Sequence, residues 1–299
     1  MPIRLHCNAF QPVKTKGAIT MMDVHTLAAR DVRRALEEDL GSGDLTAALI
    51  DPQAVARATV RSREAARLCG TPWANACVRA LDPAAHLEWL APEGATLQAD
   101  AVILEIRGNA RALLSAERTM LNFLQLLSAV ATRTAQYVDV VRGTRAQIVD
   151  TRKTLPGLRL AQKYAVRVGG GMNHRIGLFD AVLIKENHIA AAGGVAQALH
   201  RAQAVAAQAQ FIQIEVETLA QLDEALRAGA RMVLLDNMSL DQLREAVRLT
   251  GQRAVLEVSG GVDLQTVRAI AETGVDRISV GKLTKDVQAV DLSMRFTAL

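Results

Sequence analysis

The second half of the chain alternates between two kinds of pattern. Short apolar runs at residues 211–216, 232–235, 254–258 and 277–280 begin 21, 22 and 23 residues apart. The stretches between them carry apolar positions at helical spacing, so each interval reads as strand, turn and helix. Boundary residues agree. Thr218 with Gln221 and Ser239 with Gln242 match the capping-box pattern, Asp263 is a candidate N-cap, and Gly229, Gly251 and Gly274 stand where helices close. Such alternation builds parallel βαβ units. Two earlier runs, at 146–149 and 181–184, extend the series to six strands. Six units suit either an α/β barrel or an open doubly wound sheet, and periodicity does not choose between them.

The first half has no such rhythm. Residues 24–40 form an amphipathic helix that ends at Gly41. Residues 55–61 and 101–107 read as strands, with a helix between them near 73–81 and a turn at Ala91-Pro92-Glu93-Gly94. This is a mixed α+β unit. Residues 111–141 are nearly free of helix breakers and predict one long helix that joins the two halves.

Composition narrows the class. Half of the 299 residues are hydrophobic and 3% are aromatic, so the core is large and aliphatic. Cys7, Cys69 and Cys77 make no CxxC pair, and an odd number closes no disulfide framework. With no apolar leader in the first twenty residues and no apolar run long enough for a membrane span, reduced thiols in the cytoplasm are expected. The segment before Asp23 reads as a loose tail, with Met21 or Met22 as candidate starts. The net charge is +4, but residues 111–188 hold 12 Lys/Arg against 5 Asp/Glu, leaving the rest slightly acidic. A nucleic-acid partner is not expected, because no Lys/Arg run and no aromatic platform is present.

The excess of cations has an address. Arg152 and Lys153 directly follow one strand, Lys185 follows the next, and Gly169-Gly170-Gly171 with His174 and Arg175 lies between. Later strand ends carry Glu215, Glu217, Asp236, Glu257 and Ser259. In a barrel of βα units, strand C-terminal ends line the active site. Cations stranded there are costly unless an anion meets them. The late loops Ser259, Gly260, Gly261 and Ser279, Val280, Gly281 offer free backbone N–H groups suited to phosphate. Each residue has a plainer reading. Arg152 could pair with Asp150 or Glu117, Lys185 with Glu186, and His174 could be a hydrogen-bonded structural histidine. The glycine triplet could be only a flexible loop, and Glu215 and Asp236 could be carboxylates at helix N-termini. Their joint placement at strand ends favours a site for a ligand with phosphate, sugar hydroxyls and a further anionic group.

These motifs in this order resemble the quinolinate phosphoribosyltransferase family, decarboxylating pentosyltransferases of NAD biosynthesis. The resemblance runs from about Arg33 to Phe296. It rests on Glu38-Asp39-Leu40-Gly41 with Gly43-Asp44-Leu45-Thr46, Glu117-Arg118-Thr119, Asp150-Thr151-Arg152-Lys153-Thr154, Lys163-Tyr164-Ala165-Val166-Arg167 and Asn173-His174-Arg175. It continues through Ile184-Lys185-Glu186-Asn187-His188, Glu215-Val216-Glu217, Leu235-Asp236-Asn237 and Ser259-Gly260-Gly261. The resemblance implies an N-terminal α/β sandwich over residues 23–120, rejoined by 288–299, and an incomplete, open α/β barrel over 121–287. It implies a homodimer in which Arg118 reaches the neighbour's site, and the small-molecule substrates quinolinate and 5-phosphoribosyl-1-pyrophosphate with Mg²⁺.

For the site residues the resemblance implies a cationic pocket of Thr151, Arg152, Lys153, His174, Arg175 and Lys185. Glu215 and Asp236 would lie near ribose and Mg²⁺. Ser259, Gly260, Gly261, Ser279, Val280 and Gly281 would form the phosphate loops. The chain departs from the family pattern at Lys282, where a small residue is usual, and at Lys285. An outward-facing Lys282 is expected. Three other readings stay open: a relative acting on another nitrogenous acceptor, a phosphosugar aldolase using Lys153 or Lys185 as an imine-forming amine, and a binding protein without turnover.

Overall fold

The computed structural model describes residues 23–298, so the expected tail of residues 1–22, with Cys7, lies outside the described residues. The chain opens with α1 (Val24–Leu40), capped by the Asp23 carboxylate on the Thr26 N–H and closed at Gly41. Then come β1 (Val55–Ser62), β2 (Ala66–Arg67), α2 (Thr71–Leu81), β3 (His86–Trp89), β4 (Thr96–Leu97) and β5 (Val102–Asn109). Strands β3, β5 and β1 pair antiparallel, and the last strand of the chain, β12 (Leu292–Ala298), adds to the free edge of β1. In β1 the inward positions Ala56, Ala58, Val60 and Ser62 alternate with more exposed ones, as a sheet with one covered face requires. The long helix α3 (Ala110–Val140) packs on this sheet, and α2 packs on α1 and α3.

The long helix α3 (Ala110–Val140) is 31 residues, about 46 Å at 1.5 Å per residue, enough to serve both halves of the molecule. It starts at Asn109, whose side chain accepts the Ala112 N–H, and buries Leu113, Met120, Leu124 and Leu127. Its N-terminal part packs on α2 and the first sheet, and its later turns pack on α4 (Arg159–Val168).

Six parallel strands follow: β6 (Gln147–Val149), β7 (Val182–Ile184), β8 (Ile212–Val216), β9 (Met232–Asp236), β10 (Val255–Ser259) and β11 (Arg277–Ser279). Between β7 and β8 lie α5 (Glu186–Ala192) and α6 (Val195–Ala202). Helices α7 (Leu219–Arg227), α8 (Leu240–Thr250) and α9 (Val267–Ala271) connect the later strands, and α10 (Lys282–Lys285) follows β11. The sheet order is β6-β11-β10-β9-β8-β7. Strands β6 and β7 are the two edges and do not pair, so the barrel is open there. Met172 partly fills the gap by bridging to Val149 on β6.

Both expected capping boxes form, at Thr218/Gln221 and Ser239/Gln242, and Gly251 closes α8 in the left-handed conformation. Asp263 is corrected. The helix starts later, at Val267, and the Asp263 carboxylate instead accepts the N–H groups of Gln265 and Thr266 in the turn ahead of it. A short polar side chain serves a turn as well as a helix start, and the sequence pattern is the same for both.

Candidate active site

The sheet curls far enough to bring all six strand ends together. One cavity of about 470 Å³ is lined by Thr151, Arg152 and Lys153 after β6, Lys185 after β7, Glu215 of β8, Leu234 of β9, Glu257 and Ser259 of β10, and Ser279, Val280 and Gly281 at the end of β11. His174, Arg175, Gly260, Gly261, Lys282 and Lys285 complete its polar wall. Strand ends deliver these side chains because parallel strands all stop at the same face. A larger cavity, about 550 Å³, lies between α1 and α3, but Asp31, Glu37, Glu38 and Asp39 line it with Arg34 as the single cation. Its charge has the wrong sign for an anionic ligand.

Six cations line the smaller cavity, and five of them (Arg152, Lys153, Arg175, Lys282 and Lys285) form no ion pair with a described carboxylate. The exception is Lys185, whose Nζ lies 3.1 Å from Glu215 Oε2. Arg152 does not pair with Asp150 or Glu117, and its buried Nη1 has no hydrogen-bond partner in the protein. A guanidinium left unsatisfied at a cavity wall is expensive unless a ligand accepts from it. Burial, and then the charge of Arg152 close by, pull Arg175 below the usual arginine range. Two guanidinium groups held near each other against their own repulsion make a receptor for a dianion.

The loop that carries Arg152 is braced on several sides. Arg159 donates to Thr154 Oγ1 at 3.1 Å and to the Ile176 carbonyl at 3.1 Å. Thr284 Oγ1 donates to the Lys153 carbonyl at 2.7 Å, and Gln162 Nε2 to the Thr284 carbonyl at 2.8 Å. Arg175 Nη1 donates to the Ala181 carbonyl at 3.2 Å.

His174 is buried and fixed at both nitrogens. Its Nδ1 accepts the Arg175 N–H at 2.8 Å, so Nε2 carries the proton and donates to Gln213 Oε1 at 2.8 Å. Glu257 Oε1 lies 3.6 Å from Nε2 and also accepts from Ser279 Oγ. Histidine, glutamine, glutamate and serine thus form a polar floor beneath the cationic rim.

The site residues named from the sequence fall into three groups. Thr151, Arg152, Lys153, His174, Arg175, Lys185, Glu215, Ser259, Gly260, Gly261, Ser279, Val280 and Gly281 share the cavity. Asp236 stands at the end of β9 just outside the lining, where its carboxylate accepts from Ser259 Oγ and, at 2.8 Å, from Asn237 Nδ2. Arg118 is exposed on α3 and does not line the cavity of its own chain.

Lys282 is corrected. It was expected to face outward, and it lines the mouth together with Lys285, because the short helix α10 begins right after the Gly281 turn. The glycine triplet is also corrected. A Cβ on Gly169 would come within 2.5 Å of the Ala131 carbonyl, and one on Gly171 within 2.8 Å of Thr134 Cγ2, so these glycines seat the end of α4 against α3. Sequence reading missed Gln213 as part of the site, and placed Glu257 at a strand end without a role. Their signal was period two: each precedes a named residue on its strand, Glu215 or Ser259, by two positions and so shares its face.

Among the described residues, no group of three or more His, Cys, Asp and Glu side chains converges as a metal cage. Glu215 and Asp236, on neighbouring strands, are hard oxygen donors, and two carboxylates with substrate phosphates are a usual set for Mg²⁺.

The fold and the site together define a two-domain α/β protein with an open barrel whose mouth takes a polyanion. Family models carry this further. The N-terminal domain model of quinolinate phosphoribosyl transferase matches residues 44–128 and the C-terminal domain model matches 130–295. The nicotinate-nucleotide pyrophosphorylase (carboxylating) of Mycobacterium leprae is 44% identical over 278 residues, which cover 89% of this chain and 96% of the relative. A quinolinate phosphoribosyltransferase (decarboxylating) of Nicotiana tabacum, type 2a, mitochondrial, is 38% identical, covering 87% of this chain and 80% of the relative. The solved structure of the nicotinate-nucleotide pyrophosphorylase from Francisella tularensis superposes with a TM-score of 0.88 at 45% identity, over 91% of this chain and 97% of that one. The chain belongs to the quinolinate phosphoribosyltransferase family.

Proposed function

We propose that the protein transfers the phosphoribosyl group of 5-phosphoribosyl-1-pyrophosphate to the ring nitrogen of quinolinate, releasing pyrophosphate and then CO₂ to leave nicotinate mononucleotide. The observation that carries this reading is the single cavity with six cations, five of them unpaired, at the ends of six parallel strands. The two names carried by the relatives, carboxylating and decarboxylating, describe this one reaction from its two ends.

The chemistry needs alignment and charge stabilisation rather than a protein nucleophile. The pyridine nitrogen attacks C1 of the ribose as the C1–O bond to pyrophosphate breaks and its electron pair leaves with pyrophosphate. In the quaternary product the bond from C2 to its carboxylate breaks. The electron pair stays on C2 beside the positive nitrogen until a proton replaces CO₂. Arg152 and Arg175 hold the two carboxylates through their planar forks. Lys153 and Lys185 meet pyrophosphate and the carboxylate edge. The loops of Ser259, Gly260 and Gly261 and of Ser279, Val280 and Gly281 take the 5-phosphate through their glycine N–H groups, since the Val280 N–H already donates to the Val149 carbonyl at 2.9 Å. His174 presents Arg175 by accepting its N–H. Glu215, with Asp236 behind it, serves the ribose hydroxyls and would hold Mg²⁺ with the substrate phosphates, where the ion offsets phosphate charge.

The exposure of Arg118 supports a homodimer in which this arginine completes the partner's pocket. Among the described residues no helix is long and apolar enough to cross a membrane, and the buried free thiols of Cys69 and Cys77 suit a reducing cytoplasm.

The direct test supplies quinolinate, phosphoribosyl pyrophosphate and Mg²⁺ and measures CO₂ and nicotinate mononucleotide together. Equimolar appearance is expected. Pyrophosphate release without CO₂, or turnover with nicotinate in place of quinolinate, would point to another acceptor and refute the assignment. The aldolase reading is disfavoured because Glu215 engages Lys185 Nζ and the matches to the two quinolinate phosphoribosyl transferase domain models span residues 44–128 and 130–295.

A further inference from the structure

Beneath the cavity, and outside its lining, lies a buried ion pair that the chemistry above does not use. Asp150 is fully buried at the end of β6, and Lys163 of α4 is 3% exposed. Burial pushes the Asp150 carboxyl up and the Lys163 ammonium down, against their mutual attraction. Such a pair is a weak source of stability, since removing two charges from water costs several kcal/mol per ion before the attraction offsets it. Its presence in a well-packed core therefore asks for another explanation.

The partners supply one. Asp150 Oδ1 accepts from Lys163 Nζ and, at 2.9 Å, from the His174 N–H, while Oδ2 accepts from Asn173 Nδ2 at 2.6 Å. Lys163 Nζ donates its next hydrogen to the His174 carbonyl at 3.1 Å, and Asn173 Nδ2 also reaches the Lys163 carbonyl at 2.9 Å. Asp150 immediately precedes Thr151 and Arg152. Asn173 and His174 immediately precede Arg175. The pair thus clamps the two segments that carry the two arginines, across the open edge where β6 has no strand partner toward β7.

The neighbours of Lys163 on α4 extend the frame. Gln162 holds the Thr284 carbonyl, and Tyr164 donates to Glu93 at 3.0 Å. Glu93 in turn accepts the N–H groups of Gly70 and Thr71 at the start of α2.

Resting on the phosphoribosyl-transfer reading, we propose that Lys163 and Asp150 are positioning residues. They set the separation of the Arg152 and Arg175 guanidinium groups, and so determine affinity for the adjacent carboxylates of quinolinate rather than for phosphoribosyl pyrophosphate. A displacement of about 1 Å at such a site costs on the order of 100-fold in rate. Neither side chain touches substrate.

Three variants test this: Lys163→Met, the double Asp150→Asn/Lys163→Met, and Asn173→Ala, with kcat, both KM values and melting temperature measured for each. The double variant removes the stranded buried charge and keeps the test valid where Lys163→Met folds poorly. In the double variant and in Asn173→Ala, the quinolinate KM is expected to rise about tenfold and about threefold, with the phosphoribosyl pyrophosphate KM within twofold of wild type. Removing the charge is expected to restore the melting temperature of the double variant without restoring its quinolinate KM. Equal rises in both KM values, a fall in kcat alone, or a wild-type quinolinate KM in the double variant would each overturn the positioning role. A wild-type chain that neither turns over nor binds benzene-1,2-dicarboxylate by calorimetry would instead overturn the reading on which it rests.

Discussion

Two adjacent glycines in one loop give the sharpest contrast. Gly260 and Gly261 both have positive φ, 96° and 60°, yet their surroundings differ. A Cβ on Gly260 would lie 2.1 Å from Asn237 Oδ1, 2.8 Å from its Cγ and 3.2 Å from its backbone nitrogen. A Cβ on Gly261 would meet nothing within 4 Å. Gly261→Ala therefore incurs only left-handed backbone strain, about 1–2 kcal/mol, or a fall of a few degrees in Tm at roughly 2–4 °C per kcal/mol. Gly260→Ala incurs similar strain of about 1–3 kcal/mol. It also expels the Asn237 side chain from its 2.8 Å hydrogen bond to Asp236, which costs about 1 kcal/mol more. Asp236 also holds the Ser259 hydroxyl, so the shift reaches the N–H groups of the loop we propose for phosphate. Losing one charge-assisted hydrogen bond there is worth about 1.5–3 kcal/mol, a rise of roughly 10- to 150-fold in the KM for phosphoribosyl pyrophosphate. Steady-state pyrophosphate release at varied co-substrate reads this directly. Gly261→Ala should stay within a few-fold of wild type. If both variants behave alike, the close packing of Gly260 on Asn237 does not position the loop and the reasoning fails.

Arg175→Lys keeps the charge but loses the planar fork, so titrations should show quinolinate affinity falling about tenfold or more while phosphoribosyl pyrophosphate affinity changes little; equal losses would count against the carboxylate role. Mixing Arg118→Ala chains with Arg152→Ala chains should restore part of the activity if Arg118 acts across the dimer, whereas confirmed heterodimers without rescue place it in cis. Lys282→Ala should raise the phosphoribosyl pyrophosphate KM about two- to fivefold in dilute buffer and less in 0.5 M salt, because Lys282 is exposed at the mouth and its attraction is screened. A variant-to-wild-type KM ratio that stays at one in dilute buffer, or that does not fall with salt, would show that Lys282 contributes no field at the cavity.

Much of this site was legible before any coordinates, because barrel geometry turns a one-dimensional rule into a place. Residues that directly follow parallel strands must gather at one end, so Arg152, Lys185, Glu215 and Ser259 could be grouped from their offsets alone. What escaped depends on facts that offsets do not carry. Whether Lys282 faced in or out depended on the sense of one short turn after Gly281. Whether the glycine triplet was a flexible loop or packed on a helix depended on α3, some 35 residues earlier in the chain. The Lys163–Asp150 pair was hidden because a lysine in a helix usually reaches water. Only Val166, three positions on and buried, shares its face, and with Ala161 and Ala165 burying the opposite side α4 is enclosed nearly all round.

The division of charge between rim and floor follows from what the ligands demand. At the rim, five cations are left without carboxylate partners, because a cation already neutralised by the protein would have to give up that partner before it met substrate. At the floor the opposite holds. Glu257 is held by Ser279 with His174 close by, and Lys163 is matched by Asp150, so these charges cannot wander toward the ligand. The floor still leaves Glu257 Oε2 and Gln213 Nε2 without partners in the protein, as Arg152 Nη1 is at the wall. Each such group costs about 1–3 kcal/mol while it stays unmet. A site that tolerates this cost is built to recover it on binding, and the recovery is largest for a ligand that offers acceptors to the guanidinium groups. A pyridine with two neighbouring carboxylates offers such acceptors side by side.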